Sequence, residues 1–493
     1  MPRSLRWAAW FGCGLGVAAV TARIAFLSKA FVWGDSAGWA KRPILEFVAW
    51  WLVAWLLYAG ALRLGRGLPP RLRTLVAILA VAAAARSFYF GTNPVQEDDA
   101  YRYLWDGQQV LAGVNPYRWS PRQARTDNPD APEDLRRLHA LTLEPAAHEN
   151  LRRVNNQTIP TVYPPLNMAV FAASQKVAPW SLDGLRGFFL AFELATILLV
   201  WFALRSAGAN PLWTVVYAWC PLPIKEMANS PHHDALVVMT LALFLLLAVG
   251  ERPRAAAVAL ALAVASKIYP VVLAPILIAW VWRRDRRAAV QSALLFLVTL
   301  AALYAPFLSR DSFRGTGVFA SEWSSNAGLF SLVALAGRAV FGAGEVSFLG
   351  GLSPRGDVAA RVFVAALLAA FVVWIVSRPR FPKPAVAPVG RTYELPFRCF
   401  LALAAGFALA PAQHPWYFAG ILPFVALFPF RSWILLTGTL GLYYLRFHIR
   451  YHDPESSYET RFAVVRAVEY GAFYVLLTME GVRGWLRCRR EEA

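Results

Sequence analysis

Windows of about 17–23 apolar residues recur along the whole chain, and no other feature limits its fold so severely. In hydrocarbon each backbone N–H and C=O must find its partner inside the protein, so segments of this length are helices. Strands of about ten residues with alternating hydrophobicity are not the dominant pattern, which argues against an outer-membrane barrel. Apolar residues make up 58% of the chain and charged ones only 16%, far from the balance of a soluble globular protein. The expected fold class is an all-α polytopic membrane protein, one integral-membrane domain over residues 1–493 with roughly 11–14 membrane helices.

A net charge of +19 would point to nucleic acid in a soluble protein, but its distribution points to topology. Arg63, Arg66, Arg71 and Arg73 form one cluster, and Arg283, Arg284, Arg286 and Arg287 a second. Arg378, Arg380, Lys383 and Arg391 form a third, and Arg483, Arg487, Arg489 and Arg490 close the chain. Short basic loops between apolar segments mark the cytoplasmic side, and no nucleic-acid partner is expected. Cys13, Cys220, Cys399 and Cys488 are scattered, with neither metal-ligand spacing nor a disulfide framework. The first apolar segment follows Arg3 and Arg6 like a signal peptide, but it lacks a small-residue cleavage site and reads as a retained anchor.

Taken in order, the expected spans begin with Trp7–Ala30, Ile44–Leu62 and Thr74–Phe90. An outer loop, 91–164, follows; it carries a short helix on the membrane surface, with Tyr101, Leu104, Val110 and Leu111 at helical spacing and Gly113 as its stop. Thr161–Ala178 re-enters after a Pro-Pro start, and Leu185–Leu204, Pro211–Ile224 and Ala235–Val249 come next. Ala255–Trp282 is interrupted by SKIYP at Ser266–Pro270, where a lysine and a proline in mid-segment predict a broken helix lining a cavity. Ala289–Leu308 leads to a second outer region, 309–357, around a weaker apolar piece, Leu329–Phe341. Val358–Ser377, Leu395–Pro411, Trp416–Phe430, Ser432–His448 and Phe462–Met479 complete the set, with both termini cytoplasmic.

On this topology the unusual polar groups gather at the outer boundary. EDDAYRYLWDGQQVLAGVNPY (Glu97–Tyr117) opens the first outer loop with an acidic pair, Asp98 and Asp99. Such a pair near a membrane is a functional-site candidate, although a helix N-cap with first-turn charge explains it blandly. His232, His233 and Asp234 precede the Ala235 segment. Adjacent histidines point apart and no third spaced ligand follows, so a helix cap at Asp234 with one histidine reaching the cavity is preferred to a metal site. Lys225-Glu226 reads either as a structural ion pair or as part of the site. Lys267 reads as a snorkelling helix-end lysine or as a cavity cation. His414, Trp416 and Tyr417 (QHPWY) serve equally as an interfacial anchor or as a sugar or lipid platform. One carboxylate acting as general base, with cations to meet an anionic leaving group, supports transfer to a hydroxyl.

EDDAYRYLWDG, AGVNPY, IPTVYPPL, PLPIKEMANSPHHDAL, SKIYP and HPWY together resemble the GT-C superfamily of integral-membrane glycosyltransferases, most nearly its bacterial family 87-like and mannosyltransferase-like members. The resemblance implies a GT-C-like bundle whose outer loops carry short helices. It implies a polyprenyl-phosphate sugar as donor, a lipid or glycan hydroxyl as acceptor, and a hexose such as mannose as the group moved. Asp98 is then the base and Asp99 the supporting acid, since Asp98, Asp99 and Tyr101 match the superfamily's acidic motif. Tyr163, in YPPL, starts a cavity-lining helix; Lys267, beside Tyr269, meets the lipid phosphate together with an outer-loop arginine such as Arg102. Two spans ahead of the acidic loop's own leading span depart from the simplest superfamily pattern. The implied mechanism is a single displacement with inversion, which needs no metal cofactor; a divalent ion is compatible with it without being indicated. The implied location is a bacterial inner (plasma) membrane, with the site on the extracytoplasmic side. A transporter or lipid flippase is the competing reading, favoured by broken helices and intramembrane charge, and a non-catalytic scaffold is the third.

Overall fold

The computed structural model describes residues 2–34, 38–381, 384 and 393–492, with the side chains of 485 and 487–492 excepted. Lys383 and Arg391, and the side chains of Arg487, Cys488, Arg489 and Arg490, lie outside the described residues. The chain is 75% helical, and its strands are one hairpin, Glu345–Phe348 against Gly351–Pro354, among the described residues. Six described helices are long and apolar enough to cross a membrane, and five apolar helices are shorter. The protein is an all-α polytopic integral membrane protein, as its apolar windows require.

Helices α1 (Arg3–Ser28), α2 (Ile44–Gly65) and α3 (Leu72–Ser87) open the bundle, with α1 packed on α2 and α3. Residues 91–164 are more ordered than a loop with one helix: α4 (Asp99–Leu111), α5 (Pro121–Arg125), α6 (Glu133–Thr142) and α7 (Pro145–Arg153) fill them. Helices α8 (Pro165–Val177) and α9 (Leu182–Ser206) follow. The expected short helix is α4, and protein covers it. Tyr101 to Gly107 are all buried, because α4 lies between α7 and α8. Gly107 permits this: a Cβ there would come within 2.6 Å of the Phe171 carbonyl oxygen.

The expected span Pro211–Ile224 is not one helix. Pro211, Pro221 and Pro223 each remove a backbone donor, and the segment divides into a 3-10 turn, two short α turns and a π-helix over Ile224–Asn229. The SKIYP break forms as expected. One helix ends at Ser266, Lys267 adopts an extended backbone, and helical structure resumes at Tyr269. The C-terminal third closes against the N-terminal third where Trp51 Nε1 donates to the Gly438 carbonyl at 2.9 Å. A Cβ at Gly441 would collide with the Trp51 ring at 2.2 Å, and that close approach carries Tyr444 into the bundle.

Candidate functional site

Asp98 occupies the N-cap position of α4 and Asp99 its first turn, yet the Asp98 side chain makes no capping hydrogen bond. Both carboxylates turn instead to Asn155, just beyond α7. Its Nδ2 donates to Asp98 Oδ1 at 2.7 Å and to Asp99 Oδ1 at 2.8 Å. Asn155 thus uses both amide protons to hold two like charges side by side. Burial pushes the Asp98 carboxyl up to about 7, the Asp99 charge adds to the rise, and the Asn155 hydrogen bond opposes it. Asp99 is also raised by burial, against the pull of Asn155 and Lys267. Glu97 is raised well above the usual carboxylate range, again by burial, and one of its carboxylate oxygens has no hydrogen-bond partner.

Behind the pair lies a chain of buried groups. His232 Nδ1 is 3.7 Å from Asp99 Oδ2, and its Nε2 is 3.6 Å from Glu226 Oε2. Lys225 Nζ lies 3.2 Å from that same Glu226 oxygen, and the Tyr444 hydroxyl donates to the other at 2.7 Å. Lys225 also contacts the Tyr444 hydroxyl. The His232 ring stacks on Trp416, centroids 4.0 Å apart, and His414 stacks on Trp416 at 4.5 Å. Alongside, Lys267 Nζ pairs with Asp234 Oδ1 at 2.5 Å and sits 3.8 Å over the Tyr417 ring. Asp234 is therefore not the expected helix cap. It is the first helical residue, and its carboxylate goes to Lys267. His233 Nδ1 meets Asn167 Oδ1 at 3.1 Å, while Asn167 Nδ2 donates to the Ser266 carbonyl at 2.6 Å, tying the histidine pair to the SKIYP break. Tyr163 stands edge-on to His233 at 4.8 Å.

Three of the sequence candidates sit apart from this cluster. Tyr101 accepts at its hydroxyl from Arg153, 3.1 Å away, and lies beneath that guanidinium. Arg102 is committed to Asp106 at 2.9 Å and to the Ile159 carbonyl at 3.0 Å. Tyr269 packs edge-on against Phe407 at 5.0 Å. The sequence reading missed Asn155, Asn167 and Tyr444. The polar NNQ at Asn155–Gln157 and an asparagine inside the apolar α8 were the available signals for the first two; Tyr444 had none. Among the described residues no group of three or more His, Cys, Asp and Glu side chains could hold a metal ion.

Fold and site define a polytopic membrane protein that keeps carboxylates, imidazoles and lysines together between its helices, as an enzyme of charged or strongly polar substrates must. A family model described as Alpha-(1->6)-mannopyranosyltransferase, N-terminal domain, matches residues 8–284, more than half of the chain. The protein belongs to this MptA_B family, and it is a glycosyltransferase. No curated protein matches it. The match covers both aspartates, Lys225, the His232–Asp234 group and Lys267, and stops short of His414, Trp416 and Tyr417.

Proposed function

We propose that the protein moves a mannosyl group from a polyprenyl-phosphate carrier to a hydroxyl on a lipid or glycan acceptor. Support comes chiefly from one observation: Asp98, half-buried and raised to about 7, is braced beside Asp99 by the single amide of Asn155. A carboxylate tuned near neutrality is matched to proton abstraction from an alcohol. The acceptor oxygen bonds to the anomeric carbon as its proton passes to Asp98. The bond from that carbon to the phosphate oxygen breaks on the opposite face, leaving its electron pair on the phosphate and inverting the configuration. A phosphate leaving group needs no acid partner, unlike the aglycone in glycoside hydrolysis. Lys267, held by Asp234 over the Tyr417 ring, supplies positive charge on the leaving side, and Asp99 supports the base. Residues 91–164 and 309–357 face the extracytoplasmic side of a bacterial plasma membrane in this reading.

The test supplies membranes carrying the protein or its Asp98→Asn variant with a labelled polyprenyl-phosphate mannose. Transfer by the unmutated chain and its loss in the variant are expected; equal transfer by both removes Asp98 as the base. The helix break at Lys267 also suits a transporter, and sealed vesicles separate the two readings, since a transporter moves its substrate without altering it covalently.

A further inference from the structure

The helix Pro253–Ser266 runs from an arginine-rich end of the bundle to the SKIYP break, roughly 20 Å at 1.5 Å per residue. It packs against the helix Arg286–Tyr304. Between their basic ends lies a cleft of about 690 Å³ whose lining includes Arg254, Asp285, Arg287, Gln291, Leu294 and Val298. That volume falls within the range of small-molecule sites, about 300–1,000 Å³. The two loops here hold six arginines, Arg252, Arg254, Arg283, Arg284, Arg286 and Arg287, against Glu251 and Asp285. Three of the six are occupied outside the cleft. Arg283 donates to the Val376 and Arg378 carbonyls, Arg284 pairs with Glu394 at 3.8 Å and lies 3.7 Å over the Trp280 ring, and Arg286 sits over Trp282. Asp285 turns into its own helix, its Oδ1 accepting from the Ala288 N–H at 3.0 Å. Arg254 Nε donates to Gln291 Oε1 at 2.6 Å, a neutral partner. Among the described residues neither Arg254 nor Arg287 forms an ion pair.

Arg287, Gln291, Leu294 and Val298 follow one another at steps of four, three and four, so they share one face of their helix. That face passes from charge to hydrocarbon within about 16 Å, and Leu294 and Val298 are 55% and 63% exposed. A soluble anion would use only the first half of such a face, and a neutral lipid only the second. An amphiphile with an anionic headgroup matches both. Its phosphate oxygens meet the guanidinium forks of Arg254 and Arg287, while an acyl chain lies along Leu294 and Val298. Basic pockets between membrane helices receive headgroups of this kind.

We propose that this cleft binds one anionic phospholipid from the leaflet that the arginine loops face, held by Arg254 and Arg287. It lies the length of a helix away from Lys267 and does not depend on the transferase reading. Its test measures, by native mass spectrometry of the detergent-solubilised full chain, the binding of phosphatidylglycerol, phosphatidylcholine, polyprenyl phosphate and glycerol phosphate. Two double variants are compared with the unmutated chain: Arg254→Gln with Arg287→Gln in the cleft, and Arg252→Gln with Arg286→Gln, which removes the same charge beside it. The unmutated chain should bind phosphatidylglycerol about tenfold or more tighter than phosphatidylcholine. The cleft variant should lose that preference and the neighbouring variant should keep it. A preference retained in the cleft variant overturns the site, and so does an equal loss in the neighbouring variant, which would mark diffuse surface charge. Polyprenyl phosphate or glycerol phosphate binding as tightly as phosphatidylglycerol overturns the assignment to a phospholipid.

Discussion

Asp98→Asn should lower activity and raise stability, and the second effect should depend on pH in a defined direction. Folding lifts the Asp98 carboxyl from 3.8 to about 7, so the folded protein holds that proton more tightly than the unfolded chain. Stability from this group is complete below about pH 4 and is lost as the pH rises through about 7. A rise of about three pH units at 1.36 kcal/mol each sets a ceiling of about 4 kcal/mol. The asparagine carries no charge, and its Oδ1 can still accept from Asn155. Thermal unfolding of both proteins in detergent across pH 4–9 should therefore show coincident midpoints at the acid end (roughly pH 4) and a more stable variant above about pH 7. In parallel, transfer should fall by about 100-fold or more in the variant, and the unmutated enzyme should lose activity as the pH drops below about 7. A midpoint difference of the same size near pH 5 and near pH 8, or a less stable variant at the alkaline end, refutes the argument.

Asn155→Ala removes the hydrogen bonds that restrain both carboxyls; the acid limb of the pH–rate profile should move above about 7 and transfer near neutrality fall about tenfold, and an unmoved limb counts against the brace. Gly107→Ala pushes a methyl onto the Phe171 carbonyl, a backbone atom with little room to yield, and should cost about 1–3 kcal/mol, read as a lower unfolding midpoint. Arg86 and Glu193 form a fully buried pair at 2.5 Å between α3 and α9. Arg86→Met alone should cost about 3–5 kcal/mol, while the double replacement Arg86→Met with Glu193→Leu should recover most of that; equal losses in both would show that the stranded carboxylate is not the cause.

How much could be read from the sequence depended on distance along the chain. The apolar windows and the SKIYP break were legible because span length and a lysine-proline interruption are local properties. The acidic pair was legible as a candidate for the same reason. The cover over α4 was not legible, because it depends on Arg102 and Asp106 satisfying each other and on Gly107 letting α8 close over the helix. Asn155 reaches the aspartates only after the four helices α4 to α7, and the Tyr444–Glu226 and Trp416–His232 contacts join the middle and last thirds of the chain. No local pattern encodes such meetings; they follow from bundle packing.

Those same distant contacts bear on biosynthesis. During N-to-C synthesis the two aspartates and the histidine pair are made long before Trp416 and Tyr444. Until the last third is inserted, Glu226 lacks its tyrosine and His232 its stacking partner. The two contacts that close the site around Glu226 and His232 therefore form only when the last third of the chain is in place.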